Sequence, residues 1–383
     1  MATMSNWKLH RQPTRRSSTE RLSRLVGVPL AVLSSACTPE SPDNSPSLED
    51  AIFIEDMGAL HVYKTFEEPL CAGDRRRIAE QWDSLPSFLG VEPPESYLIL
   101  YDYDQSDELN SRCGKNFDVA GCAADWGAYS TPAAASHELA HVLVRAETGS
   151  AFPPALLQEG LAEALEGTSI SLFGDQLDID IGTLLSSADL SSQLYRDDAH
   201  HVVSWLIDRH GIDAVLGAFI ASDGIAPDDH AAFAATFGYS SIESMQGDYE
   251  QTSAFEYPAR PDLENWVGEE ELAQGVDLTP SCLSTHTVTT VAGTRTSIGF
   301  EIAAAGRFSI EYVGLTAAEF EPQRVWTTAR FDTLPEFYDP VDVWTGYACF
   351  HDPGFYRIAF ERQSGDEAPV FVRLGSEEGP GCE

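Results

Sequence analysis

The chain has 383 residues, 43% of them hydrophobic, and a net charge of −38. That length can fill one large core or two modest ones. So acidic a chain repels nucleic acid and anionic lipid, and the lack of any run of 18 apolar residues excludes an ordinary membrane-spanning helix.

Residues 1–24 set Lys8, Arg11, Arg15, Arg16, Arg21 and Arg24 against a single acid, Glu20, and lead into the apolar run LVGVPLAVLSSAC, which ends at Cys37. A basic segment, an apolar run and a small-residue end describe a signal peptide over 1–37. LSSAC resembles a lipobox, with Ser34 where that motif carries an aliphatic residue; Ser34-Ser35-Ala36 also fits ordinary signal cleavage. The expectation is an exported protein, either a cell-envelope lipoprotein or a secreted one, touching membrane only through a lipid on Cys37. Without the signal, 17 basic residues face 60 acidic ones, a net −43, as a soluble body allows.

Setting Cys37 aside leaves Cys71, Cys113, Cys122, Cys282, Cys349 and Cys382. An even set in an exported protein predicts disulfides, and Cys113 with Cys122 forms the natural local loop. The other pairings stay open.

Residues 38–50, TPESPDNSPSLED, read as a flexible linker of Pro, Ser and acids. From 51 the patterns alternate. AIFIE, ALHVYKTF, YLILYDY and WGAYST read as strands, and GDRRRIAEQWDSLPSFL as a helix with an apolar stripe. Between 131 and 250 the pattern is mainly helical, in PAAASHELAHVLVRAETG, PPALLQEGLAEALEG, RDDAHHVVSWLIDRHG, IDAVLGAFIASD and DDHAAFAATFG. Residues 51–255 therefore read as one α+β domain and 256–280 as a linker. From 281 to 383, THTVTTV, RTSIGFEIA, GRFSIEYVG, DVWTGYACF, GFYRIAFE and APVFVRLG carry strand patterns, read as a small β-sandwich domain.

Chemistry concentrates in SHELAHVLV. His137 and His141 stand four apart, so on a helix both can face one ion. Zinc takes imidazole nitrogens and a third protein ligand, leaving one place for water. Glu138, beside a ligand, is placed to act as base on that zinc-bound water. Thr131 and Pro132 suit the helix start. The bland alternative is a satisfied pair of surface or core histidines. Downstream, in LQEGLAEALEG, Glu159 is separated from His141 by 17 residues, enough for a loop through Pro153-Pro154 and a returning helix. Glu159 can then be the third ligand, and Glu163, one turn on, can accept the second N–H of a bound imidazole.

HELAH followed by QEGLAEAL resembles the gluzincin metallopeptidases, which include thermolysin and the aminopeptidase N family. The resemblance spans roughly 95–250 and is strong over 137–167. It implies a mixed-sheet lobe and a helical lobe, zinc held by His137, His141 and Glu159, and Glu138 as catalytic base. It implies an edge strand that binds the substrate backbone, for which WGAYST is the candidate. LYRDDAHHVVSWLIDRHG resembles the helix that supplies an oxyanion-stabilising tyrosine in aminopeptidase N relatives; Tyr195 holds the matching place, and otherwise reads as a packing residue at a helix start. Of His200 and His201, one reads as a surface side chain and the other as packed, with a role for either in the cleft left open. No aminopeptidase-like glycine-rich motif is present, so the expected activity is zinc-dependent endopeptidase cleavage of peptide or protein. The alternative is a non-enzymatic surface lipoprotein that uses this fold as scaffold and the C-terminal strands for binding.

Overall fold

The computed structural model describes residues 46, 48, 50–115, 119–166, 179–187, 193–226, 228–251, 266–290, 293–302, 306–313, 323–324, 343–350, 354–363 and 370–376. The signal, the lipobox at Cys37 and most of the linker to residue 50 lie outside these residues.

Short apolar runs bounded by turns give β1 (Ile52–Met57) and β2 (Leu60–Lys64), an antiparallel hairpin. The helix α1 (Ala72–Leu89) follows, burying Ile78, Trp82, Leu85 and Leu89, an apolar stripe at helical spacing. Then come β3 (Ser96–Leu100), α2 (Ser106–Arg112), β4 (Gly121–Ala124) and β5 (Gly127–Ser130). The sheet runs β1-β2-β3-β5-β4. Its inner pairs β2/β3 and β3/β5 are parallel, and the outer pairs are antiparallel. The expected edge strand is corrected here. WGAYST supplies β5, which lies between β3 and β4, and the edge belongs to β4. β4 reads GCAA, small residues of weak strand propensity, so its pattern carries no β signal.

One sheet face enters the main core through Leu60, Val62, Leu98, Leu100, Ala123 and Ala128. The other carries a smaller cluster with Ile99, Tyr101, Leu109 and Tyr129, closed by the expected Cys113–Cys122 disulfide.

The helical segment contains α3 (Ala135–Thr148), α4 (Ala155–Glu166), α5 (Ile181–Ser186), α6 (Gln193–His210), α7 (Ile212–Ala221), α8 (His230–Thr236) and α9 (Ile242–Gln251). A 3₁₀ turn at Pro132–Ala134 leads into α3, with Thr131 at its cap position but making no side-chain cap bond. Helix α4 is buried from Leu156 to Leu165. It meets α6 at Gly160, where a Cβ would lie 2.7 Å from both Ala199 O and Val203 Cγ2. Only glycine permits so close an approach of the two backbones.

Strands β6 (Trp266–Val267), β7 (Val276–Asp277), β8 (Thr287–Thr290), β9 (Gly293–Ile302), β10 (Gly306–Val313), β11 (Gln323–Arg324), β12 (Val343–Phe350), β13 (Gly354–Gln363) and β14 (Phe371–Ser376) form two sheets. One runs β12-β10-β14-β7; the other runs β11-β13-β9-β6, with β8 also paired to β9. The second half of the stretch read as a linker is thus ordered: β6, β7 and the helix α10 (Glu269–Gln274) occupy it. Val267, Leu272, Val276 and Leu278 are buried there, enough apolar area to hold an acidic segment in place.

Several contacts fasten residues 282–289 to the start of α1, among them the Ala72 N–H donating to Cys282 O at 2.8 Å and two side-chain links. One is the disulfide Cys71–Cys282. The other is Asp74, whose carboxylate accepts from Thr289 N at 3.0 Å and Thr289 Oγ1 at 2.7 Å. Burial still dominates at Asp74 and pushes its carboxyl up to about 6. Cys382 and the side chain of Cys349 lie outside the described residues. No helix among the described residues is long and apolar enough to cross a membrane.

Candidate metal centre

Helices α3 and α4 bring His137, His141 and Glu159 together. On α3 the two imidazoles stand one turn apart, with His141 Nε2 3.1 Å from His137 Nε2. Glu159, near the start of α4, reaches both: Oε2 lies 3.4 Å from His137 Nε2 and Oε1 lies 3.9 Å from His141 Nε2. Metal–ligand bonds of about 2.0–2.1 Å in tetrahedral array put ligand atoms roughly 3.3–3.4 Å apart. The observed separations bracket that value, so the donor set fits a zinc-sized cation. The atoms form one of two His/carboxylate groups among the described residues able to hold a metal ion.

The second group shares His137 and adds Glu163 and Glu166. His137 Nδ1 lies 3.4 Å from Glu163 Oε1 and 3.7 Å from Glu166 Oε2. Carboxylates behind an imidazole orient the ring and raise its basicity as a ligand. Arg77 Nη2, 3.1 Å from Glu166 Oε1, already brings a cation to this side, which favours the support reading over a second ion. Sequence reading found Glu163 and missed Glu166, although Glu159, Glu163 and Glu166 stand at i, i+4 and i+7 and so form one carboxylate stripe on α4.

Glu138 is 1% exposed and sits against the first residue of β4. A Cβ at Gly121 would lie 2.5 Å from Glu138 Cγ and 2.8 Å from Glu138 Oε1. Glycine at the head of the edge strand is what leaves space for this carboxylate. Sequence reading passed over Gly121 because the strand itself was not visible.

Tyr195 is in the first turn of α6, and its side chain lies outside the described residues. His200 and His201 are 3% and 5% exposed, so the expectation of a surface histidine is corrected. Helix α6 is wrapped by α4, α5 and α7, and both rings are enclosed. His201 Nδ1 lies 2.6 Å from Tyr249 Oη. Burial, with His200 beside it, pushes the His201 imidazole down to about 3. An open cavity of about 700 Å³ lined by α5, α8 and α9 includes Ser186, His230 and Glu243 but none of the metal-site groups.

Compared with known proteins, the chain matches no protein-family model and no curated protein sequence. The chain has a mixed α+β fold with groups able to hold a metal ion.

Proposed function

We propose that the chain is an exported zinc metallopeptidase of gluzincin type that cleaves within polypeptides. The observation that carries this reading is the meeting of His137, His141 and Glu159 on two packed helices, with Glu138 on the same turn as the first ligand. A zinc ion held there would supply Lewis-acid polarisation of the scissile carbonyl and acidify a water.

The remaining chemistry belongs to the side chains. The Glu138 carboxylate takes a proton from the attacking water and hands it to the amide nitrogen as the C–N bond breaks. The products are a carboxylic acid and an amine. Burial of Glu138 beneath β4 keeps the carboxylate out of bulk water and close to the sheet edge. An extended substrate adds beside β4 as a further strand, so its main chain is recognised before its side chains. Tyr195 is assigned the oxyanion-stabilising role. Glu163 steadies His137.

Two disulfides suit an oxidising, extracytoplasmic location, with Cys37 as the site of a lipid anchor or the end of a cleaved signal. The C-terminal strands are assigned to a small accessory β domain.

The test is hydrolysis of casein and of a peptide library by the purified chain. Glu138→Gln should cut turnover by about 10²–10⁴-fold while leaving bound zinc unchanged. Full turnover in that variant would remove Glu138 from the mechanism. Metal binding without any turnover by the wild type would favour a scaffold or binding role instead.

A further inference from the structure

Helix α1 carries two polar residues that reach the metal centre from behind. Gln81 is fully buried, and its Nε2 donates to Ser136 O at 3.2 Å and to Leu165 O at 3.3 Å. Ser136 precedes His137. Leu165 is near the end of α4. One amide therefore ties the start of α3 to the end of α4. One turn earlier, Arg77 pairs with Glu166 at 3.1 Å, both side chains largely buried at 15% and 12% exposure.

That pair resolves an electrostatic conflict. Glu163 and Glu166 both stand in the last turn of α4, where the helix dipole is already negative. Both carboxylates face the Nδ1 side of His137. Arg77 offsets the excess with a cation that cannot be deprotonated. The start of α1 is itself fixed by Cys71–Cys282 and by Asp74 with Thr289, so Arg77 is presented from an anchored helix.

We propose that Arg77 is a positioning residue for the metal centre, acting through Glu166 on His137, with Gln81 fixing the spacing of the two ligand helices. The inference rests on the metal-site reading above and adds a chain of contacts running Arg77, Glu166, His137. It places control of metal affinity on a helix distant in sequence from every ligand.

The test is zinc affinity of metal-stripped full-length protein, measured by competition with a chromophoric chelator, with Co(II) absorption as a second readout. Arg77→Met should weaken zinc binding by about tenfold, the lower part of the range for residues supporting a ligand. Arg77→Lys should recover part of the loss, and the Co(II) bands should shift in Arg77→Met. The double variant Arg77→Met/Glu166→Gln should bind no more weakly than the weaker single variant, because both act on one contact. Arg75→Met, on the same helix, which breaks the solvent-facing pair of Arg75 with Glu55 of β1, should leave affinity unchanged. If Arg77→Met does not fold, Glu166→Gln and Arg77→Lys decide: wild-type affinity in Glu166→Gln overturns the inference. Unchanged affinity in Arg77→Met, or additive losses in the double variant, also overturns it while leaving the metal site intact. A folded wild type without zinc affinity overturns the site and the inference together.

Discussion

Gly121 and Glu138 are in contact across the sheet edge, and the contact has room for no side chain: a Cβ on Gly121 would stand 2.5 Å from Glu138 Cγ. The head of β4 and the proposed base are thus one structural unit. A side chain placed at position 121 must move the carboxylate.

Gly121→Ala separates base from metal. The methyl group displaces the Glu138 carboxylate, while the proposed ligands, His137 and His141 on α3 and Glu159 on α4, are not in its way. Turnover should fall by about 10–100-fold, part of the 10²–10⁴ range that a general base contributes. Zinc stoichiometry should stay that of the wild type. Equal losses of zinc and activity would mean that the strand supports the ligands rather than the base.

Gly160→Ala tests the packing that carries Glu159. Two effects compete. Alanine is the better helix former by about 1 kcal/mol. Against that, its Cβ would lie 2.7 Å from Ala199 O, a backbone atom of α6 that cannot rotate away. Overpacking of this kind costs about 1–3 kcal/mol, so the clash prevails with a net loss of up to about 2 kcal/mol. Chemical denaturation measures it, and because Gly160 adjoins the proposed ligand Glu159, zinc affinity should weaken as well. A stabilised variant would show that α4 and α6 can separate freely.

Acid stability should depend on His201 in a direction fixed by its burial. Its folded pKa is near 3, against 6.5 for an ordinary histidine. Between those values the unfolded chain binds a proton that the folded chain refuses, so stability falls as pH drops from 6.5 toward 3. At about 1.4 kcal/mol per pKa unit, the full span amounts to several kcal/mol. Asp74 has the opposite sign: its carboxyl, raised from 3.8 to about 6, contributes stability at low pH that is lost as pH rises through that window. Melting curves between pH 6.5 and 4.5 should therefore fall less steeply in His201→Asn and more steeply in Asp74→Asn. Parallel curves for all three proteins would contradict both assignments.

Much of this was legible in the residues. The four-residue spacing of His137 and His141, and the helical phase of Glu159 and Glu163, foreshadow the meeting of α3 and α4, because apolar periodicity fixes which faces of two long helices turn inward. Local signals also identified β1, β2, β3, β5 and the Cys113–Cys122 loop. What escaped depends on tertiary contact. The GCAA of β4 has no strand pattern, and its edge position comes from pairing with β5. Gln81 and Arg77 read as ordinary polar residues of an amphipathic helix until α3 and α4 are packed against them. The apolar residues between Val267 and Leu278 are too sparse to announce β6, α10 and β7, which are held by the later sheets.

The most direct test of the central claim is the zinc content of the folded chain purified without chelators, in the wild type and in Glu159→Gln. The account predicts about one zinc per wild-type chain, as a single three-ligand site requires, and a large loss in the variant at unchanged fold. Folded wild-type protein that takes up no zinc when the metal is supplied would contradict it.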